Sequence, residues 1–256
     1  MNPAEALLVL VAGLGAGTVN TVVGSGSLLT FPVLLALGYP PVVANVSNTI
    51  GLTPGSISGA LGYRRELAAQ SARLLPLSVA AVLGGVSGGL LLLGLPPGAF
   101  RAVVPALVLL AALLMAAQPW LSRRLRARRE RRATPEGGTG VGAALLSAVF
   151  TVSVYGGYFG AAQGVLLLAL LATLLDEDLN RLNGLKNLLQ ALVNLVAAVL
   201  FTITAEVAWY PVLLLALGSV AGGRLGALLG RNIPAPALRT LVVAIGTTVG
   251  LALLLT

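Results

Sequence analysis

The sequence has no cysteine and no histidine, which removes disulfides, Cys/His metal sites and imidazole acid–base chemistry together. Charge is scarce too: 9% of residues are charged, against about 25% in an average soluble domain. Lys186 is the sole lysine. No carboxylate pair and no serine–lysine pair falls at a spacing suited to catalysis, so the chain reads as a non-enzyme that needs no cofactor and no metal. The start, Met1-Asn2-Pro3-Ala4-Glu5, has no basic n-region and is followed by no Ala-x-Ala site. The first apolar segment is therefore expected to stay in place rather than act as a removable signal.

What the chain has in abundance is apolar surface. It is 57% hydrophobic, with a mean hydropathy of +0.96 and 32 glycines. No single soluble core hides that much, and small residues let transmembrane helices approach closely. The class this implies is an all-α, polytopic protein of the cell membrane.

The net charge of +8 is local in origin. Seven of the sixteen basic residues are Arg123, Arg124, Arg126, Arg128, Arg129, Arg131 and Arg132. A cluster flanked by two hydrophobic halves is a cytoplasmic connection under the positive-inside rule, not a nucleic-acid surface. The bilayer is thus the expected partner of the chain, with no nucleic acid, and a homo-oligomer is compatible with this reading.

The two halves resemble each other at a constant offset. Gly26 matches Gly164, Asn45 matches Asn183, Gly84-Gly85 match Gly222-Gly223, Gly88 matches Gly226, Pro96 matches Pro234, and Arg101 matches Arg239. The expected organisation is a first membrane repeat over 1–118, a basic linker over 119–138 and a second repeat over 139–256. Weak internal symmetry with glycine breaks at corresponding places points to the binding region of a secondary transporter.

Each repeat divides into five apolar pieces: 5–23, 27–38, 42–62, 74–95 and 100–120, then 141–159, 161–175, 180–201, 207–230 and 238–256. Crossing a hydrocarbon core takes about 20 residues. The second piece of the first repeat, 27–38, is short and contains Pro32, a re-entrant or half-helix candidate, whereas its counterpart 161–175 is longer and almost long enough to span. The total is eight to ten transmembrane or half helices, with breaks near the midplane. If the short piece does not cross, the repeats are parallel with four crossings each; if it does, they are inverted with five. Arginine placement favours inversion, the shortness of 27–38 speaks against a crossing there, and the parity stays open with a lean to inversion.

The polar residues concentrate in few places. Asn183, Asn187, Gln190 and Asn194 line one helix face, with Lys186 beside them. An intramembrane ionisable residue is a functional candidate; the alternative is that Lys186 reaches back to the interface. The first repeat answers with Asn45, Asn48, Thr49 and Ser56. The turns Gly24-Ser25-Gly26-Ser27 and Gly160-Ala161-Ala162-Gln163-Gly164 precede the short helices. Helix N-termini there, with the serine hydroxyls and the Gln163 amide, would attract an anion without a buried arginine. The candidate substrate-binding set is therefore Gly24, Ser25, Gly26, Ser27, Asn45, Asn48, Thr49, Gly160, Gln163, Gly164, Asn183, Lys186 and Asn187. Asp176-Glu177-Asp178 reads as a solvated connector, and Arg224 as either lining a path or pairing with an acid.

Gly24-Ser-Gly-Ser-Leu-Leu-Thr-Phe-Pro-Val-Leu-Leu-Ala-Leu-Gly-Tyr-Pro-Pro, followed by Ala44-Asn-Val-Ser-Asn-Thr, resembles the signature of the TauE/SafE family of membrane transporters. So do Tyr158-Phe-Gly-Ala-Ala-Gln-Gly-Val and Leu182-Asn-Gly-Leu-Lys-Asn. The resemblance covers essentially the whole chain. It implies a permease for small sulfur-containing anions such as sulfite or related organosulfur compounds; with the two repeats, the expected protein is a transporter that moves such an anion by alternating access. Other readings open at this point are an anion channel or a carrier of a different small solute, such as a carboxylate or an amino acid.

Overall fold

The structure is a computed structural model describing residues 1–68, 70–131, 141–229 and 235–255, with backbone only at 121–123, 125–131, 229 and 235–238. The described residues form helices and connecting turns. α1 (Pro3–Val22) is followed by the short α2 (Ser27–Ala36), then α3 (Pro41–Gly62), the single turn α4 (Arg64–Ala68), α5 (Ser71–Gly94) and α6 (Pro97–Arg131). The second half gives α7 (Ala143–Tyr158), the short α8 (Gln163–Leu174), α9 (Leu179–Thr204), α10 (Trp209–Leu229) and α11 (Ala235–Leu255). Each of the ten apolar pieces expected from the sequence contains a helix among the described residues. α6 runs on to Arg131, so the start of the basic connection is helical as well; residues 132–140 and Arg231 lie outside the described residues.

Local chemistry explains the ends. Asn2 caps α1 through a capping box, its Oδ1 accepting from Glu5 N–H while the Glu5 carboxylate accepts from Asn2 N–H. Asp178 caps α9 by accepting from Asn180 N–H. Pro41 occupies the first turn of α3, where its missing N–H leaves no bond unmade. Gly24, Gly38 and Gly160 adopt positive φ in the turns flanking the short helices.

Among the described residues, five helices are long and apolar enough to cross a membrane: Pro3–Val22, Ser71–Gly94, Pro97–Trp120, Leu179–Thr204 and Trp209–Leu228. Shorter apolar helices cover Ser27–Ala36, Ala143–Tyr158, Gln163–Leu174 and Arg239–Leu255. α3 is long enough but carries Asn45, Ser47, Asn48, Thr49, Thr53 and Ser56, all buried. Burial inside the bundle is what makes so polar a helix tolerable at membrane depth.

Glycine contacts fix how the helices run. Gly13 meets Leu215, Gly17 meets Ser219 and Gly222 meets Thr18, so α1 and α10 run side by side in one direction. Gly51 meets Leu215, Gly55 meets Ser219 and Gly62 meets Ala227, which adds α3 to the same direction. α9 runs against α3: Thr53 and Ser56 lie at Asn194, and Tyr63 at Asn183. α5 and α7 follow α9, since Gly85 meets Val193 and Gly89 Leu200, while Gly84 meets Phe150 and Gly88 Val154. α6 and α11 are antiparallel, Arg239 bonding Gln118 and Gly250 touching Leu109.

The acidic connector is not simply solvated. Glu177 binds Arg73 at 2.9 Å and Arg181 at 3.1 Å, with its side chain 16% exposed, and so ties the start of α5 to the start of α9.

Candidate functional site

The two short helices meet head to head. α2 starts after the turn that ends α1, and α8 starts after the turn that ends α7. Gly164 N–H donates to the Gly24 carbonyl at 3.0 Å, which joins the two turns directly. A Cβ on Gly24 would lie 2.5 Å from the Gly164 Cα, and one on Gly164 would lie 2.5 Å from the Gly24 Cα. Only glycine permits that approach, and Gly24 also needs its freedom at φ +92°. Two helix N-termini, each a partial positive charge, therefore converge on one buried place.

Polar side chains from four helices surround it. Asn20, in the last turn of α1, is the hub: its Nδ2 donates to Ser56 Oγ at 3.1 Å, and its Oδ1 accepts from Gly26 N–H at 3.2 Å and from Gln190 Nε2 at 2.8 Å. Asn194 Nδ2 donates to the same Ser56 Oγ at 3.0 Å. On α3, Asn48 Nδ2 donates to Ser27 Oγ at 3.0 Å and its Oδ1 accepts from Thr30. These bonds lock the first turn of α2 onto α3 and α1.

A helix end buried inside the protein leaves carbonyls with no partner from its own helix. Lys186 deals with this at α1: its Nζ donates to Asn20 O at 3.2 Å and to Thr21 O at 2.9 Å. Asn183 and Asn187 also donate to Thr21 O, at 3.4 and 3.2 Å. Lys186 is 0% exposed, so the interfacial alternative for it is not realised. At the end of α7, Asn45 Nδ2 donates to Tyr158 O at 3.0 Å. Asn45 and Asn183, matched in the sequence, thus each serve the terminus of the other half's first helix.

Several buried polar atoms here have no protein partner: Ser25 Oγ, Asn45 Oδ1, Asn183 Oδ1, Gln190 Oε1 and both amide atoms of Gln163. Such atoms are rare in a finished core, and each can take a further hydrogen bond. Gly164 lies against Gln190, since a Cβ there would be 2.8 Å from Gln190 Oε1. Of the sequence candidates, Gly24–Ser27, Gly160, Gln163 and Gly164 form the paired turns. Asn48 braces the first turn of α2, while Asn45, Asn183, Lys186 and Asn187 hold helix ends. Thr49 is buried on α3, its carbonyl accepting from Thr53 Oγ1 at 2.7 Å. Asn20 escaped the sequence analysis because it is a lone amide in a long apolar run. Its only signal was its position four residues before Gly24.

The sulfite exporter TauE/SafE family model matches residues 9–253. The chain belongs to the TauE/SafE family. This TauE/SafE protein is accordingly a multi-pass membrane transporter for a small anion, and not an enzyme. It is similar to "Probable membrane transporter protein YfcA" of Escherichia coli K12, 29% identical over 240 residues covering 93% of this chain and 86% of the relative. A "Probable membrane transporter protein" of Haemophilus influenzae is 26% identical over 84% of this chain and 81% of its own. "Probable membrane transporter protein ORF9" of Sinorhizobium sp is 26% identical over 95% and 90%. No solved structure matches this TauE/SafE chain.

Proposed function

We propose that the chain carries a sulfur oxyanion, sulfite or a small sulfonate, across the cell membrane by alternating access, with the anion held where α2 and α8 begin. The observation that carries this reading is the Gly24–Gly164 contact, which brings two half-helix N-termini together among buried polar atoms lacking partners. A sulfur oxyanion is compact and rich in acceptors. It suits helix N-termini, a serine hydroxyl and amide N–H groups. The family name supplies the sulfur chemistry.

In this reading Ser25 and Gln163 contact the anion, with Gly24, Gly26, Ser27, Gly160 and Gly164 shaping the turns around it. Lys186 acts one step back. The C-terminus of α1 carries partial negative charge close to the anion, and the ammonium on Asn20 O and Thr21 O offsets it. Asn183 and Asn187 assist there, Asn45 does the same for α7, and Asn48 and Thr49 support α2 from α3. Among the described residues no carboxylate is buried, so there is no buried carboxylate on which to build a proton relay.

The proposed architecture is two inverted repeats, 1–118 and 139–256, joined by the basic segment 119–138. Helix direction supports it. α3 opposes α9 and α6 opposes α11, while α1 runs against α7 and α10 against α5. These are the pairs matched by the sequence offset. α2 then returns the chain so that α1 and α3 can run alike. Arg64, Arg65, Arg73, Arg181, Arg224 and Arg239 lie towards one end of the bundle, with Arg101 at the other, and the first end is assigned to the cytoplasm.

Reconstitution in liposomes tests the function. Saturable sulfite or sulfonate flux without single-channel conductance is expected; flux no greater than in protein-free liposomes, or ohmic conductance, would overturn it.

A further inference from the structure

We infer that the groove between the C-terminal halves of α3 and α10 binds one anionic phospholipid of the bilayer, its phosphate held between Arg64 and Arg224. The groove is a hollow of about 520 Å³ walled by Ile57, Leu61, Val220 and Leu228, with Arg64 and Arg224 at its border. Its floor is set by the close approach of Gly62 to Ala227, which brings the two helices together and leaves their larger side chains standing as walls. A second hollow of about 450 Å³ shares Leu61, Arg64 and Leu228 with the first and adds Arg65 and Glu66. The lining thus changes from aliphatic to charged along α3 towards the chain turn at Tyr63. That is the order of groups along a phospholipid, acyl chain first and headgroup last.

The charges point the same way. Among the described residues neither Arg64 nor Arg224 has an ion-pair partner, and Glu66 is the one acid lining either hollow. Arg224 is exposed on an otherwise apolar helix, flanked by Val220 and by Leu228, which is 75% exposed. A guanidinium in that position needs an anion at the height of the headgroups, and it binds phosphate in a forked geometry. Leu61, 63% exposed, offers the acyl chain a surface that no other described residue covers.

The test is lipid retention by the full-length protein, purified in detergent and measured by native mass spectrometry with phosphatidylglycerol or phosphatidylcholine supplied. Wild type is expected to retain phosphatidylglycerol preferentially. Arg64→Gln and Arg224→Gln should each weaken that preference about fivefold, and Arg224→Lys should keep most of it. Arg101→Gln, at the far end, should change nothing. An unchanged melting temperature in phosphatidylcholine shows that the variants are folded. Equal retention of the two lipids, or a preference unaffected by both glutamine variants, would overturn the inference. So would displacement by soluble glycerol phosphate at equal concentration, which would mark a free-phosphate site. A dimer that is broken by Leu61→Glu and retains no lipid would assign the face to a second copy instead.

Discussion

Lys186 Nζ lies 2.9 Å from the carbonyl oxygen of Thr21, with the whole side chain sealed from solvent. The protein's one lysine therefore serves the broken end of a helix. Substituting Lys186→Met takes the ammonium donor from the Asn20 carbonyl, while Thr21 O keeps Asn183 and Asn187; one buried unsatisfied group costs about 1–3 kcal/mol. We expect a clear fall in melting temperature together with loss of anion flux. Lys186→Gln, which keeps a donor but not the charge, should recover stability more than flux. Equal recovery of both would show that the charge itself does nothing for the anion.

The glycines of the two turns differ from other glycines in a way that melting curves can resolve. Gly24→Ala and Gly164→Ala place a methyl against backbone across the crossing and should abolish folding or transport. Gly38 also has positive φ, at +86°, but nothing lies within 4 Å of its would-be Cβ. Gly38→Ala should then cost only the backbone strain of about 1–2 kcal/mol and leave transport intact.

Asn20 joins three elements through Ser56, Gly26 and Gln190. Asn20→Ala and Gln190→Ala should each destabilise by about 1–3 kcal/mol. Because they share a bond, the double variant should fall short of the sum by about 0.5–3 kcal/mol. Additive losses, measured by denaturation in detergent, would mean the 2.8 Å bond carries no weight.

How the chain could be read beforehand follows from what each signal depends on. Helix positions were legible because apolar runs punctuated by Gly24, Gly38-Tyr39-Pro40 and Gly160 leave little choice once the bilayer is the solvent. The polar stripe Asn183–Asn194 was legible because amides at helical spacing in an apolar helix must face inward. The job of Lys186 was not. Its partners are main-chain carbonyls of a helix more than 160 residues away in sequence, and carbonyls leave no mark on sequence. Asn20 was lost for the converse reason, since a single amide makes no pattern. The relative directions of α3, α10, α5 and α9, given by the contacts of Gly55, Gly85 and Asn194, leave no mark on the sequence.

The inverted arrangement makes its own prediction. Because the chain has no native cysteine, single cysteines can be introduced and labelled directly. Cysteines replacing Glu5, Arg101 and Glu206 should react from the outside, and those replacing Arg65 and Asp176 from the inside. Parallel repeats would move Glu206 to the same side as Arg65.

The most direct test of the central claim uses Ser25, whose hydroxyl is buried without a partner at the meeting of α2 and α8. In transport-competent Ser25→Cys, a charged thiol reagent should react during turnover, and sulfite or the transported sulfonate should slow that reaction in proportion to its occupancy. A cysteine there that never reacts, or reacts equally with and without saturating substrate while flux proceeds, would contradict the account.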